Sequence, residues 1–212
     1  MMLLSPTDTP HYRTHARRHP HLLGYLAGPR KRGIPRYLHD PWASWAADND
    51  AYSGNFDPQG FTAWLQTLTP FTDRCLFVTC PDVLADHEAT IARFQQWQPC
   101  ITALGFPVAF VLQDGITADP IPWDRIDALF VGGTTHWKLS PEPLRLLHHA
   151  GTLGIWRHVG RVNSLKRMLH FWNHADSFDG TTFAIEPDNN LRRFLPVMLA
   201  RTRQRSLLCP SS

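Results

Sequence analysis

Three aspartates and a glutamine stand where apolar runs end, and together they could do chemistry at an acetal-like carbon. Asp48 closes the run 43–47, Asp82 follows 75–80 and Pro81, Gln113 follows 107–112, and Asp179 follows 175–178. One carboxylate can attack an anomeric carbon while another moves protons to and from the leaving group. If the leaving group is a nucleobase, an amide and backbone groups are natural readers of its edge. Gln113 and the pair Gly132-Gly133, which closes the run 128–131, would supply them. Taken singly, each Asp also reads as a loop or cap residue, because Asp is common after strands. Their repeated placement at the ends of apolar runs is what argues for a site.

Short apolar runs of this kind read as strands buried on both faces. Six are clear, at 43–47, 75–80, 107–112, 128–131, 155–159 and 175–178, and two are weaker, at 22–26 and 182–185. Helical patterns separate them. Asp57-Pro58 opens a helix with the apolar face Phe61, Trp64, Leu65 and Leu68. A longer helix starts near Asp86 and carries Ile91, Phe94, Trp97 and Ile101 at helical spacing. A short helix falls at 122–126, and Ser140-Pro141 begins another with Leu144, Leu147 and His148 on its face. Asn163 or Ser164 caps a helix over 165–174, and 188–205 forms a closing helix with a basic end. Strands that alternate with helices are parallel, and in such folds the carboxyl ends of the strands converge on one face. The sequence therefore predicts a compact single-domain (β/α)8 barrel of TIM type over 21–205, with an open doubly wound sheet as the alternative. Residues 1–20 read as an irregular basic, His-rich arm, and 206–212 as a tail. Neither G-x-G-x-x-G nor a P-loop motif is present.

The length of 212 residues suits one domain, and no stretch approaches the apolar length of a membrane span. The amino terminus does not read as a signal peptide. Cys75, Cys80, Cys100 and Cys209 lack metal-ligand spacing and read as buried free thiols, which implies a reducing, cytoplasmic setting without a metal. His11, His15, His19 and His21 read as a surface cluster. Net charge is only +3, but residues 1–39 sum to +6, 40–156 to −8 and 157–212 to +5. Basic ends around an acidic middle suit a polyanion lying across basic margins while an acidic pocket does chemistry, although a solvated surface with a basic tail gives the same sums. The phosphate contacts would come from Arg30, Lys31 and Arg32 in a basic loop, and from Arg161 and Lys166 near the pocket mouth. Arg201, Arg203 and Arg205 would add weaker contacts.

At this point the motifs resemble those of the tRNA-guanine transglycosylase superfamily, and more closely its small relatives linked to 7-deazaguanine modification of DNA. Ala175-Asp176-Ser177-Phe178-Asp179-Gly180 looks like the family's D-x-F-D-C/G strand end, which implies that Asp179 is the nucleophile. Asp48-Asn49-Asp50-Ala51-Tyr52 is similar to D-S-G-G-Y/F, which implies that Asp48 is the acid/base, with Asp50 standing where a Gly is usual. Asp82 resembles the Asp that reads the guanine edge, Gln113 the Gln of V-Q-G, and Gly132-Gly133 the pair whose backbone contacts the base. His158-Val159-Gly160-Arg161 looks like M-G-V-G, less closely. The resemblance spans about 45–188. It implies a pentosyltransferase without cofactor that exchanges guanine in nucleic acid for a free 7-deazaguanine base. The family's zinc site, C-x-C-x-x-C with a downstream His, is absent, as is the extension that holds tRNA, so DNA is the preferred substrate over tRNA. An N-glycosidase that uses water in the same pocket, and a barrel that only binds nucleic acid, are the rival expectations.

Overall fold

The structure is a computed structural model that describes residues 1–31, 33–51 and 56–208, with side chains as far as residue 204. Eight parallel strands close into a barrel in sequence order. They are β1 (Met2–Ser5), β2 (Leu23–Ala27), β3 (Trp45–Ala47), β4 (Cys75–Thr79), β5 (Val108–Leu112), β6 (Ala128–Val131), β7 (Trp156–Val159) and β8 (Ser177–Phe178). The helices are α1 (Pro10–Arg18), α2 (Pro58–Leu68), α3 (His87–Ala103), α4 (Thr135–Lys138), α5 (Pro141–Thr152), α6 (Leu165–Phe171), α7 (Thr182–Ile185) and α8 (Pro187–Leu208). The closed (β/α)8 barrel is the expected fold, and the open sheet is excluded by the pairing of β1 with β8. Among the described residues no helix is long and apolar enough to cross a membrane.

Strand alternation divides the core in two. Leu3, Tyr25, Trp45, Phe110, Leu129 and Phe178 belong to the large cluster that also contains the helix residues. Met2, Leu4, Leu26, Ala46, Phe77, Ala109 and Ala128 form a second buried cluster with Phe130 and Trp156 packed against it, and this fills the barrel interior. Small residues on some strands make room for the rings on others. Gly24 is the tightest such position: a Cβ there would lie 2.7 Å from the Leu4 side chain and 2.9 Å from the Ser44 carbonyl oxygen. Gly24→Ala is therefore expected to cost about 1–3 kcal/mol through overpacking, read as a lower midpoint in urea unfolding at unchanged slope.

Two elements differ from the sequence reading. Residues 1–20 are not an irregular arm. Met2–Ser5 is the first barrel strand, paired with both β2 and β8. Thr9 then caps α1 by accepting the Tyr12 N–H. Tyr12 and Ala16, one turn apart, are the buried residues of that helix, and the Tyr12 hydroxyl donates to the Gly24 carbonyl at 2.7 Å. So narrow an apolar stripe is hidden in sequence by the His and Arg residues around it. Conversely, 182–185 is the short helix α7 and not a strand, because β1 fills the eighth place in the barrel. Phe183 packs there against Phe178 and Phe194. Cys75 and Cys80 are buried thiols as expected, whereas Cys100 is exposed on α3, and Cys209 lies outside the described residues.

Candidate active site

All the strand ends that carry the expected site residues open on one cavity of about 470 Å³ at the carboxyl-terminal mouth of the barrel. Asp48, Asp82, Gln113, Gly132, Gly133, Arg161 and Asp179 line it together, with Arg30 and Lys31 at the rim. Residues from β3 to β8 thus meet although they are spread over much of the chain.

Asp179 is held at both oxygens. Its Oδ1 accepts the Arg161 N–H at 3.0 Å, and its Oδ2 lies 3.0 Å from His158 Nε2. Arg161 reaches this position with φ of 60°, a left-handed conformation that is uncommon for a non-glycine residue. Asp50 (φ 55°) and Ala85 (φ 59°), in the loops after β3 and β4, share that conformation. Asp50 thus takes a backbone shape that Gly reaches most easily and that short polar side chains also reach at low cost.

Asp48 sits in a different electrostatic setting. Burial, reinforced by the negative charges of Asp179, Asp50 and Asp82, pushes its carboxyl up to about 7, and the Asn49 N–H that donates to Oδ1 at 2.8 Å only partly opposes this. Asp82 is also raised by burial, against the lowering effect of the amides on it. Those amides are Asn49 Nδ2, which donates to Oδ1 at 2.9 Å, and Gln113 Nε2, which donates to Oδ2 at 2.6 Å. Each carboxylate oxygen has a second lone pair, so Asp82 can still accept from a ligand.

Gln113 and Gly133 line the cavity and also bond to each other and to neighbouring loops. Gln113 is 1% exposed, and its Oε1 accepts from the Ala85 N–H at 2.9 Å and the Gly133 N–H at 3.1 Å. Its acceptor capacity is filled by the protein, and of its two amide hydrogens one goes to Asp82, so any contact with a base is through the other. Gly133, whose N–H is used in the same way, gives its carbonyl to the Arg161 guanidinium. A side chain could not replace it: φ is +67°, and a Cβ would lie 2.6 Å from Asp114 Oδ1 and 2.7 Å from the Trp137 ring. Gly132 remains a lining residue.

The basic residues divide likewise. Arg30 is exposed at the rim, with its N–H 3.4 Å from Asp50 Oδ2, while Lys31 donates to the Pro6 carbonyl and lies over the Tyr25 ring. Arg161 lines the cavity beside Asp179, and its guanidinium donates to the Gly133 carbonyl. Lys166 is exposed on α6 and is not one of the lining residues. Arg32 and the side chain of Arg205 lie outside the described residues.

Four residues escaped the sequence reading. Asn49 is buried and ties the β3 and β4 loops together, giving Nδ2 to the Cys80 carbonyl at 2.8 Å as well as to Asp82. Lys138, in α4, is buried and donates to the Gly160 carbonyl, and burial, then the Arg161 charge, pushes its ammonium down to about 7. Nothing in Trp137-Lys138-Leu139 marks it as internal. His158 and Ser177 point into the barrel, which period-2 alternation from Asp179 and Gly160 would have indicated. Among the described residues no group of three or more His, Cys, Asp or Glu could hold a metal ion.

No family model and no curated protein matches the chain. Solved structures similar to it include the tryptophan synthase alpha chain from Legionella pneumophila subsp. pneumophila, at 10% identity and a TM-score of 0.48 over 84% of this chain and 78% of that one. L-Talarate dehydratase from Polaromonas sp. JS666, complexed with Mg and L-glucarate, matches at 14% identity and a TM-score of 0.47 over 88% and 52%. Klebsiella pneumoniae BlrP1 in its manganese/cy-diGMP complex matches at 15% identity and a TM-score of 0.42 over 66% of this chain. The chain spans 38% of the length of BlrP1. None of these three is named as a tRNA-guanine transglycosylase.

Proposed function

We propose that the barrel is a base-exchange transglycosylase that replaces guanine in a nucleic acid, preferably DNA, with a 7-deazaguanine. The observation that carries this reading is the contrast between two carboxylates in one cavity. Asp179 is pinned by donors at both oxygens, whereas Asp48 is pushed up to about 7, where it can both give and take a proton at neutral pH. Two carboxylates held in such different surroundings suit the different roles of nucleophile and acid/base.

In the first step an Asp179 oxygen attacks C1′, the C1′–N9 bond breaks with its electron pair going to guanine, and protonated Asp48 supplies the proton. In the second, Asp48 takes the proton from N9 of the incoming base, N9 attacks C1′, and the Asp179 ester is released. The ester conserves the glycosidic bond, so no cofactor enters the balance. Asp82, with a lone pair left on each oxygen, is matched to the adjacent N–H donors of the guanine edge. The target base must be single-stranded or leave the duplex to enter. Arg30, exposed at the rim, and the further Nζ hydrogens of Lys31 would meet its phosphates.

Incubation with labelled guanine and either DNA or tRNA tests this. Label is expected in DNA. Release of free base without uptake would replace the reading with a hydrolytic glycosidase, and binding with neither release nor uptake would leave a non-catalytic barrel. Uptake into tRNA alone would overturn the preference for DNA.

A further inference from the structure

We infer that His158 is a positioning residue for Asp179, fixed in its Nε2–H tautomer by a directed chain of hydrogen bonds that starts at Trp156. This deepens the proposed function and rests on it for the role of Asp179, but the tautomer itself is independent of any activity.

The direction follows from donors and acceptors. The Trp156 indole can only donate, and its Nε1 lies 2.8 Å from Ser177 Oγ. Ser177 is fully buried, so its single hydroxyl hydrogen requires an acceptor. His158 Nδ1, 2.8 Å away, provides one if it carries no hydrogen. The hydrogen of the neutral ring is then on Nε2, which faces Asp179 Oδ2 at 3.0 Å and donates to it. With the other tautomer, Nδ1–H would point at Ser177, and two bare acceptors would face each other across the Asp179 contact.

The ring is also mechanically fixed. His158 is 0% exposed and lies between Phe130, at 4.5 Å between centroids, and Phe77, at 5.1 Å. Burial lowers the imidazole's affinity for a proton, and the nearby Lys138 charge does so too, against the raising effect of Asp179. A neutral ring with one fixed N–H serves as a permanent donor. Together with the Arg161 N–H on Oδ1, it sets the plane of the Asp179 carboxylate and hence the lone pair aimed into the cavity.

The first test is 15N NMR of the imidazoles in the intact protein, with the His158 signal assigned by its loss in His158→Gln. A protonated Nε2 and a bare Nδ1 are expected. In Ser177→Ala the Nε2–H form should persist, because Asp179 Oδ2 still accepts from it, while the Nδ1 signal should shift as its hydrogen bond is lost. The reverse tautomer in the wild-type protein, or an Nδ1 signal unmoved in Ser177→Ala, overturns the assignment. The second test compares His158→Gln, whose amide nitrogen reaches the place of Nε2, with His158→Phe, which offers no donor. The Phe variant should lose roughly 10²–10³-fold in kcat with KM nearly unchanged, and the Gln variant should recover at least about tenfold of that. Equal kcat in both variants, or an effect confined to KM, overturns the positioning role. Should the wild-type protein exchange no base at all, the transglycosylase reading fails while the NMR result still decides the tautomer.

Discussion

Asp179→Asn is expected to lower base exchange by at least about 10³-fold while nucleic-acid affinity stays within a few-fold. The amide has nearly the shape of the carboxylate but is a far weaker nucleophile. It also has only one oxygen, whereas the wild-type residue accepts at both Oδ1 and Oδ2, from Arg161 and His158. One of those donors would therefore face an NH2 group, which should cost about 1–3 kcal/mol of stability. Single-turnover release of guanine measures the first effect. The intact mass of the wild-type protein after incubation without acceptor base should show the glycosyl ester, and the variant should not form it. Turnover by the variant at the wild-type rate would remove Asp179 from the chemistry.

Asp48→Asn should separate activity from stability. Loss of a group that gives and takes the proton is expected to reduce exchange by roughly 10²–10⁴-fold. The folded carboxyl is pushed up to about 7 from an ordinary 3.8. Between these values the folded protein binds the proton more tightly than the unfolded chain does. The resulting stabilisation is complete at low pH and is lost as pH rises through about 7. Above that, the wild-type protein holds an ionised carboxylate close to Asp179 and Asp82. The full linkage would be about 4 kcal/mol, and because Asp48 opens on the cavity, screening should leave on the order of 2 kcal/mol. The variant should therefore be more stable than wild type at pH 8, and the difference should shrink towards zero near pH 4. Urea unfolding at the two pH values checks this, and single-turnover guanine release by the wild-type protein should fall above about pH 7. A flat release profile would show that Asp48 is not the acid.

Much of the barrel was readable because its strands are buried on both faces and appear as unbroken apolar runs. The carboxyl ends of those runs named the cavity residues correctly, since in a parallel barrel chain direction alone decides which end faces the site. What could not be read was which polar atoms would be consumed by the protein itself. Gln113 looks like a base reader in one dimension, but in three its oxygen is filled by two backbone donors from different loops. Arg161 reads as a basic residue at the mouth, and only the fold shows that its guanidinium also donates to the Gly133 carbonyl. Met2–Ser5 was overlooked because an isolated run of four residues has no visible partner until its neighbours in the barrel are known. Lys138 and Asn49 gave no signal, because burial of a polar side chain depends on loops that are remote in sequence.

The closure of β1 on β8 has a consequence for the order in which the molecule is made. Met2 and Leu3 find Ser177 and Phe178 roughly 175 residues later. At about 5–20 residues per second, the first strand waits roughly 10–35 seconds on the ribosome before that edge can pair. During that interval it is an open template carrying Leu4 and its neighbours, held only by β2 on its other side. The last join is also a narrow one, with two residue pairs in register, as few as at any seam of the barrel. Nascent chains should therefore depend most on chaperone protection just before residues 177–178 emerge, which is also the stretch that delivers Asp179 to the site.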